Sequence, residues 1–292
     1  MDKRLPDWFK QRMPRAGEIS DVSSVLVDLK LNTVCQSAIC PNMCQCFARK
    51  TATFMIMGSI CTRNCTFCAI AKGKPSELEA DEPERIAAAV GRLSLKYVVI
   101  TSVTRDDLSD GGAAHFAKTI EAIHSACPET LVEVLVPDFQ GLSSALETVA
   151  DARPAVINHN IETVPRLYKE VRPLANYHRS LDLISKIKEI DSRIVTKSGI
   201  MLGLGETREE VLEAMKDLRF SGCNLLTLGQ YLAPSSQHHP VVSYVTPDEF
   251  SSYVRPGLDM GFSGVASAPL VRSSYRAVEL FREAQSKHPS GN

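Results

Sequence analysis

The sequence predicts an α/β fold with a parallel sheet, and three observations lead there. Six short runs rich in apolar and β-branched residues recur along the chain, stretches of helical period separate them, and the text just after each run turns polar or glycine-rich. Nearly continuous apolar strands alternating with helices belong to a sheet covered on both faces. An open doubly wound sheet and a full or partial barrel both satisfy this pattern, and the barrel is favoured. In either architecture ligands gather at the carboxyl ends of the strands.

The strands are expected at "TFMIM" near 54–58, "KYVVITS" (96–102), "LVEVLVP" (131–137), "AVINHNI" (155–161), "RIVTKSGIML" (193–202) and "NLLTLGQYL" (224–232). Between the first two, "DEPERIAAAVGRL" reads as a helix. Pro83 suits its first turn, acids sit at the positive end of the dipole, and Ile86, Val90 and Leu93 share one face. "TREEVLEAMKDLRFSG" repeats the design, with Thr207 as cap, Val211, Leu212, Met215 and Leu218 facing inward and Gly222 as stop. The strand-end segments are "TSVTRDDLSDGG" (101–112), "VPDFQG" (136–141), "NHNIET" (158–163), "SGIMLGLGET" (198–207) and "GQYLAPSSQHHP" (229–240), and they are expected to line one cavity. Within them "GLGE" lacks the G-K-[ST] of a phosphate loop and reads as a turn. His238 and His239 before Pro240 read as an exposed loop.

Composition excludes several classes. The 292 residues are 44% hydrophobic and 23% charged, enough for a substantial core, and 33 basic against 34 acidic residues leave a net charge of −1. Such a balance disfavours nucleic acid as a partner. No run of about 18 apolar residues predicts a membrane span, and the first twenty residues lack the apolar region of a signal peptide. A cytoplasmic chain is the expectation.

Seven of the nine cysteines fall between Cys35 and Cys68. Disulfides are not sustained in a reducing compartment, so metal chemistry is the better reading. Cys127 and Cys223 stand apart and read as core fillers. "CTRNCTFC" puts Cys61, Cys65 and Cys68 at C-x3-C-x2-C directly after the first strand. Three thiols on a short loop suit a cubane cluster with one iron left over, since structural zinc favours paired C-x2-C knuckles. Upstream, "CQSAICPNMCQC" offers Cys35, Cys40 and Cys46 at C-x4-C-x5-C, with Cys44 as an extra or alternative ligand. Taken alone that set fits zinc as well as iron-sulfur.

The cysteine loop with an aromatic before its last thiol resembles the cluster loop of radical S-adenosylmethionine (SAM) enzymes. Together with "CQSAICPN", "TATFMIMG", "LKYVVITSV", "RDDL", "EVLVPDF", "KSGIMLGLGE" and "LVRSSY", it resembles the lipoyl synthases over nearly the whole chain. The resemblance implies a partial (β/α)6 TIM-like barrel over 51–262. An N-terminal cysteine-rich extension (1–50) and a C-terminal tail (263–292) would lie over its mouth. It also implies two 4Fe-4S clusters. Cys61, Cys65 and Cys68 would hold the cluster that binds and reduces SAM, and Cys35, Cys40, Cys46 and Ser273 an auxiliary one. The implied reaction takes hydrogen from C6 and C8 of a protein-bound octanoyl-lysine and inserts sulfur from the auxiliary cluster. Unactivated methylenes offer no acid and no leaving group, so a cofactor has to supply the reactive species.

Ser102, Asp106 and Asp107 are candidates for contact with SAM, against a competing reading of the two acids as helix-start residues. Ser273 has its own competing reading, as the cap of a C-terminal helix. Implied partners are octanoylated lipoyl-carrier domains (a 2-oxoacid dehydrogenase E2 domain or the glycine cleavage H protein), a reductant such as flavodoxin or ferredoxin, and an iron-sulfur carrier. The chain departs from the family at Gln36 and Ser37, where two glutamates are usual, and at Cys44, where a small residue is usual. A two-cluster electron carrier and a zinc-stapled binding module are the readings from other classes.

Overall fold

The computed structural model describes residues 5–10 and 16–287. Parts of the two flanking segments, 1–4, 11–15 and 288–292, thus lie outside the described residues. The strands run β1 (Asn32–Thr33), β2 (Thr53–Ile56), β3 (Ile60–Cys61), β4 (Ala71–Lys72), β5 (Tyr97–Ser102), β6 (Leu131–Leu135), β7 (Val156–Asn158), β8 (Val195–Leu202), β9 (Leu225–Gln230) and β10 (Gly264–Ser267). The helices are α1 (Ala16–Asp28), α2 (Val34–Ser37), α3 (Met43–Ala48), α4 (Glu82–Arg92), α5 (Ala113–Ala126), α6 (Ser143–Asp151), α7 (Tyr168–Val171), α8 (Tyr177–Ile190), α9 (Arg208–Phe220), α10 (Pro247–Ser251), α11 (Val254–Asp259) and α12 (Ala277–Lys287).

One sheet orders its strands β1-β2-β5-β6-β7-β8-β9-β10, and every pair from β2 to β10 is parallel. The two edges are not hydrogen-bonded to each other, so the barrel is partial. All six predicted strands are present, and the sheet takes one more from each flanking segment. β1 pairs antiparallel with β2, and β10 pairs parallel with β9. β10 begins beyond residue 262, where the sequence reading starts the tail. It has four residues of small or modest size, too short for a periodicity signal. Small β3 and β4 pair separately and bracket the cysteine loop.

Phe54, Ile56 and Ile100 are fully buried between sheet and helices, at about 1.5–3 kcal/mol of burial each. On α4, Ile86 and Val90 are buried as the periodicity requires, with Pro83 in the first turn. α9 starts with a complete capping box: the Thr207 side chain accepts from the Glu210 backbone N–H, and the Glu210 carboxylate accepts from that of Thr207. Gly222 follows α9 at φ +87°, the left-handed stop that glycine adopts without strain. α12 lays Leu280 and Ala284 against Leu225 and Val195, and Phe281 against the Tyr97 ring. Inside the barrel the fully buried Lys197 ammonium donates to both Glu133 oxygens (2.9 and 3.2 Å), which also accept from Tyr97 and Asn158.

Candidate functional site

The carboxyl ends of the strands enclose a cavity of about 480 Å³, the size of a small-molecule site. Its wall draws on every strand-end segment singled out above, through 101–104, 135–138, His159, Asn160, Glu162, 199–201 and 229–234. Cys35, Cys40, Cys61, Cys65 and Cys68 border the same space, with Arg172, Arg272, Ser273 and Ser274.

The chain leaves β2 through Met57 and Gly58, both at positive φ, and turns into the cysteine loop. Glu82 accepts the Met57 backbone N–H at 2.8 Å, and Arg105 donates to the Met57 carbonyl at 3.3 Å. The Cys61 sulfur accepts from the backbone N–H groups of Arg63 and Thr104, each at 3.4 Å. Burial pushes the Cys65 thiol up against the opposing pull of Arg172, and pushes that of Cys68 up to about 11, with neighbouring cysteines adding repulsion. Thiols so crowded cannot all ionise unless a cation shares the site, which suits them to hold a soft metal center. Among the described residues no group of three or more His, Cys, Asp or Glu could hold a single metal ion. A cubane instead spreads its ligands over several irons.

The second triad behaves alike. Burial and the charges of Cys35 and Cys40 push Cys46 up to about 12, and burial raises Cys35. Cys46 is on α3, where Cys44 lies two residues away; side chains at that spacing do not face each other. Cys46 feels the charges of both Cys35 and Cys40, which groups it with them, and neither Cys44 nor Cys46 borders the cavity itself. Gln36 bonds with the Thr33 hydroxyl (2.9 Å) at the start of α2 rather than facing the cavity. Buried Asn42 donates to the Leu270 carbonyl at 2.7 Å, tying the N-terminal cysteines to the C-terminal segment.

That segment crosses two bare strand positions. A Cβ on Gly229 would run into the Val271 carbonyl, and one on Gly199 would lie 2.9 Å from the Ser273 hydroxyl. Close backbone approach is what glycine inside a strand permits. Ser273 does not cap α12, which starts four residues later; its hydroxyl donates to Asn160 Oδ1 at 2.9 Å.

Of the expected SAM contacts, Ser102 borders the cavity, and its buried hydroxyl has no hydrogen-bond partner among the described residues. Asp106 and Asp107 do not border it. Asp106 takes the Arg63 guanidinium and Asp107 that of Arg105. Neither acid is at a helix start, since α5 begins at Ala113. Glu162 and Arg172 were not singled out from sequence, yet both face the cavity. Burial raises the Glu162 carboxyl, which Arg172 opposes, and Arg172 Nη1 donates to the carbonyls of Asn160 (3.0 Å) and Ile161 (3.1 Å). Glu162 sits inside "NHNIET", so its strand-end position was a usable signal; Arg172 belongs to no such segment. The exposed-loop reading of His239 is corrected. It is buried, with Nε2 3.0 Å from Glu170, because its loop folds back so that the His239 N–H meets the Thr66 carbonyl in the cysteine loop.

A partial parallel barrel with a three-cysteine loop after its first parallel strand defines a radical SAM protein, and residues 55–218 match the family model of the Radical SAM superfamily. Among solved structures, a maturase of the FeFe-hydrogenase has a TM-score of 0.57 at 14% identity, over 72% of this chain and 50% of that one. Methylornithine synthase has 0.52 at 11%, over 81% and 66%. These likenesses bear on the fold. Curated relatives are closer: the lipoyl synthase of Caldanaerobacter subterraneus subsp. tengcongensis is 59% identical over 95% of this chain and 97% of its own. That of Caldicellulosiruptor saccharolyticus is 55% identical over 96% and 98%. The chain belongs to the lipoyl synthase family, radical SAM sulfurtransferases that use SAM and two 4Fe-4S clusters.

Proposed function

We propose that this chain converts an octanoyl-lysine on a lipoyl-carrier domain to lipoyl-lysine, with sulfur entering at C6 and C8. Cys61, Cys65 and Cys68 would hold the SAM cluster, and Cys35, Cys40, Cys46 and Ser273 the auxiliary one. The observation that carries this reading is that five of those six thiols and the Ser273 hydroxyl border one cavity. When bound, the cofactors supply hydrogen abstraction from unactivated carbon and a source of sulfur.

The chain's own residues bind, orient and exclude water. Ser102, its hydroxyl without a partner among the described residues, is the SAM contact retained from the sequence, and Glu162 and Arg172 add a carboxylate and a guanidinium on the same wall. Asp106 and Asp107 act instead through Arg63 and Arg105. Leu135, Val136, Ile200 and Met201 give the cavity apolar wall against which an octanoyl chain is held away from water. The carrier is an E2 domain or an H protein, electrons come from a flavodoxin or ferredoxin, and an iron-sulfur carrier rebuilds the auxiliary cluster. The work is cytoplasmic; among the described residues no helix is long and apolar enough to cross a membrane.

The test is a single turnover of the anaerobically reconstituted protein on an octanoyl-lysine peptide, read by mass spectrometry. Wild type yields lipoyl product and 5′-deoxyadenosine. The triple Cys61/Cys65/Cys68→Ala variant yields neither, and Ser273→Ala yields deoxyadenosine with little lipoyl product. Zinc in place of iron at Cys35–Cys46, or deoxyadenosine from the triple variant, rejects the assignment.

A further inference from the structure

The sequence text "TRDDL" (104–108) does not use its acids on the cavity, and its contacts run instead to the first half of the cysteine loop. The Thr62 N–H and hydroxyl both donate to the Thr104 carbonyl, at 3.1 and 3.0 Å, and that same hydroxyl accepts the Asp106 N–H at 3.1 Å. The Thr104 N–H reaches the Cys61 sulfur. Side chains repeat the link. Arg63 lies between Cys61 and Cys65 with its side chain only 5% exposed, and it grips Asp106 through Nε (2.7 Å) and Nη2 (2.9 Å). Its Nη2 also donates to Asp138 Oδ1 at 2.5 Å, from the loop after β6. Arg179 on α8 donates to the other Asp138 oxygen at 3.3 Å. Two guanidinium groups and two carboxylates balance in charge, which is the condition for such a group to be stable when buried. The planar fork of arginine meets one carboxylate with two bonds in a fixed geometry and still reaches a second, whereas a lysine offers a compact charge on a flexible stem.

We propose that segment 104–106 is a splint for the cysteine loop and that Arg63, gripped by Asp106 and Asp138, is the positioning residue that presets Cys61 before iron arrives. The inference deepens the proposed function and rests on Cys61, Cys65 and Cys68 being cluster ligands. Its mechanism is local. A loop free to sample many conformations has to lose that freedom as the cluster binds, whereas a splinted loop has lost it on folding.

The test is hydrogen exchange of the apo protein, where no cluster contributes, followed by iron loading. In Arg63→Gln the Thr62 and Asp106 amides exchange about tenfold faster or more, because a broken buried ion pair frees the local opening. Amides of β5 to β9 keep wild-type rates. Arg63→Lys falls between, and Asp106→Asn, which leaves the Asp138 pair in place, shows a smaller rise. On reconstitution Arg63→Gln binds about four irons where wild type binds about eight, and the four remaining belong to the upstream site. Wild-type loop exchange and full loading in Arg63→Gln would overturn the splint. Should Arg63→Gln raise exchange throughout the barrel, Asp106→Asn decides: faster exchange confined to Thr62 and its neighbours supports the proposal, and unchanged exchange overturns it. A loosened loop in Arg63→Gln, in a protein whose wild type loads no iron at 61–68, would support the splint and reject the ligand assignment.

Discussion

Gly199 is the position where one added carbon should separate the two halves of the reaction. A Cβ there would lie 2.8 Å from Asn160 Oδ1 and 2.9 Å from both the Ser273 and the Thr227 hydroxyls. The backbone at Gly199 does not have positive φ, so alanine is conformationally acceptable and the cost is steric alone. The atoms met are the ends of three short polar side chains on the cavity wall, which have to shift, at about 1–3 kcal/mol for overpacking, and displacing Ser273 from Asn160 adds about 1 kcal/mol for the lost hydrogen bond. The sum, about 2–4 kcal/mol, lowers the Tm of a chain of 292 residues by roughly 3–7 °C. Thermal unfolding of the apo protein by circular dichroism measures it. Function should change unevenly, because the atoms displaced belong to the Ser273 side of the cavity. Gly199→Ala is expected to keep forming 5′-deoxyadenosine while lipoyl product falls at least about tenfold, the factor a 1.4 kcal/mol misplacement produces. A Tm within about 2 °C of wild type, or proportional loss of both products, would refute the reasoning.

The other predictions concern charge and register. Burial alone would raise the Asp138 carboxyl, but the Arg63 hydrogen bond and charge outweigh it and hold it at about 2 against an ordinary 3.8. Its stabilisation is therefore present above pH 4 and lost as pH falls toward 2, amounting to about 2 kcal/mol; Asp138→Asn should flatten acid unfolding in that window, and an unchanged acid limb would contradict it. Lys197→Met leaves the Glu133 carboxylate buried without its cation and should cost about 3–5 kcal/mol in urea unfolding, whereas Glu133→Gln/Lys197→Met together, which removes the charge and keeps an acceptor for Tyr97 and Asn158, should recover most of that. A double variant no more stable than the single would mean that the pair is not the source of the loss. Cys44→Ala should retain both clusters by iron analysis and absorbance, and Cys46→Ala should lose the auxiliary one; the reverse pattern would exchange their roles.

Local sequence information sufficed for the parallel sheet, the helices on it and the end of the sheet at which the cavity opens. These rest on local information: the runs of β-branched residues, the Thr207 cap and the Gly222 stop act within a few positions along the chain. The spacing of Cys61, Cys65 and Cys68 was legible for the same reason, because one short loop carries all three. Tertiary structure alone decided which side chains meet. Asp106 and Asp107 look like cavity acids in one dimension, and only the arrival of Arg63 across 43 residues and the fold of Arg105 back onto Met57 engage them as partners of buried guanidinium groups away from the cavity. β10 was invisible until β9 supplied its hydrogen bonds, since four small residues carry no period of their own. Ser273 meets Asn160 over the bare backbone of Gly199, a contact spanning 113 residues, and burial and hydrogen bonding at that separation depend on the fold of the whole barrel rather than on any neighbouring residue.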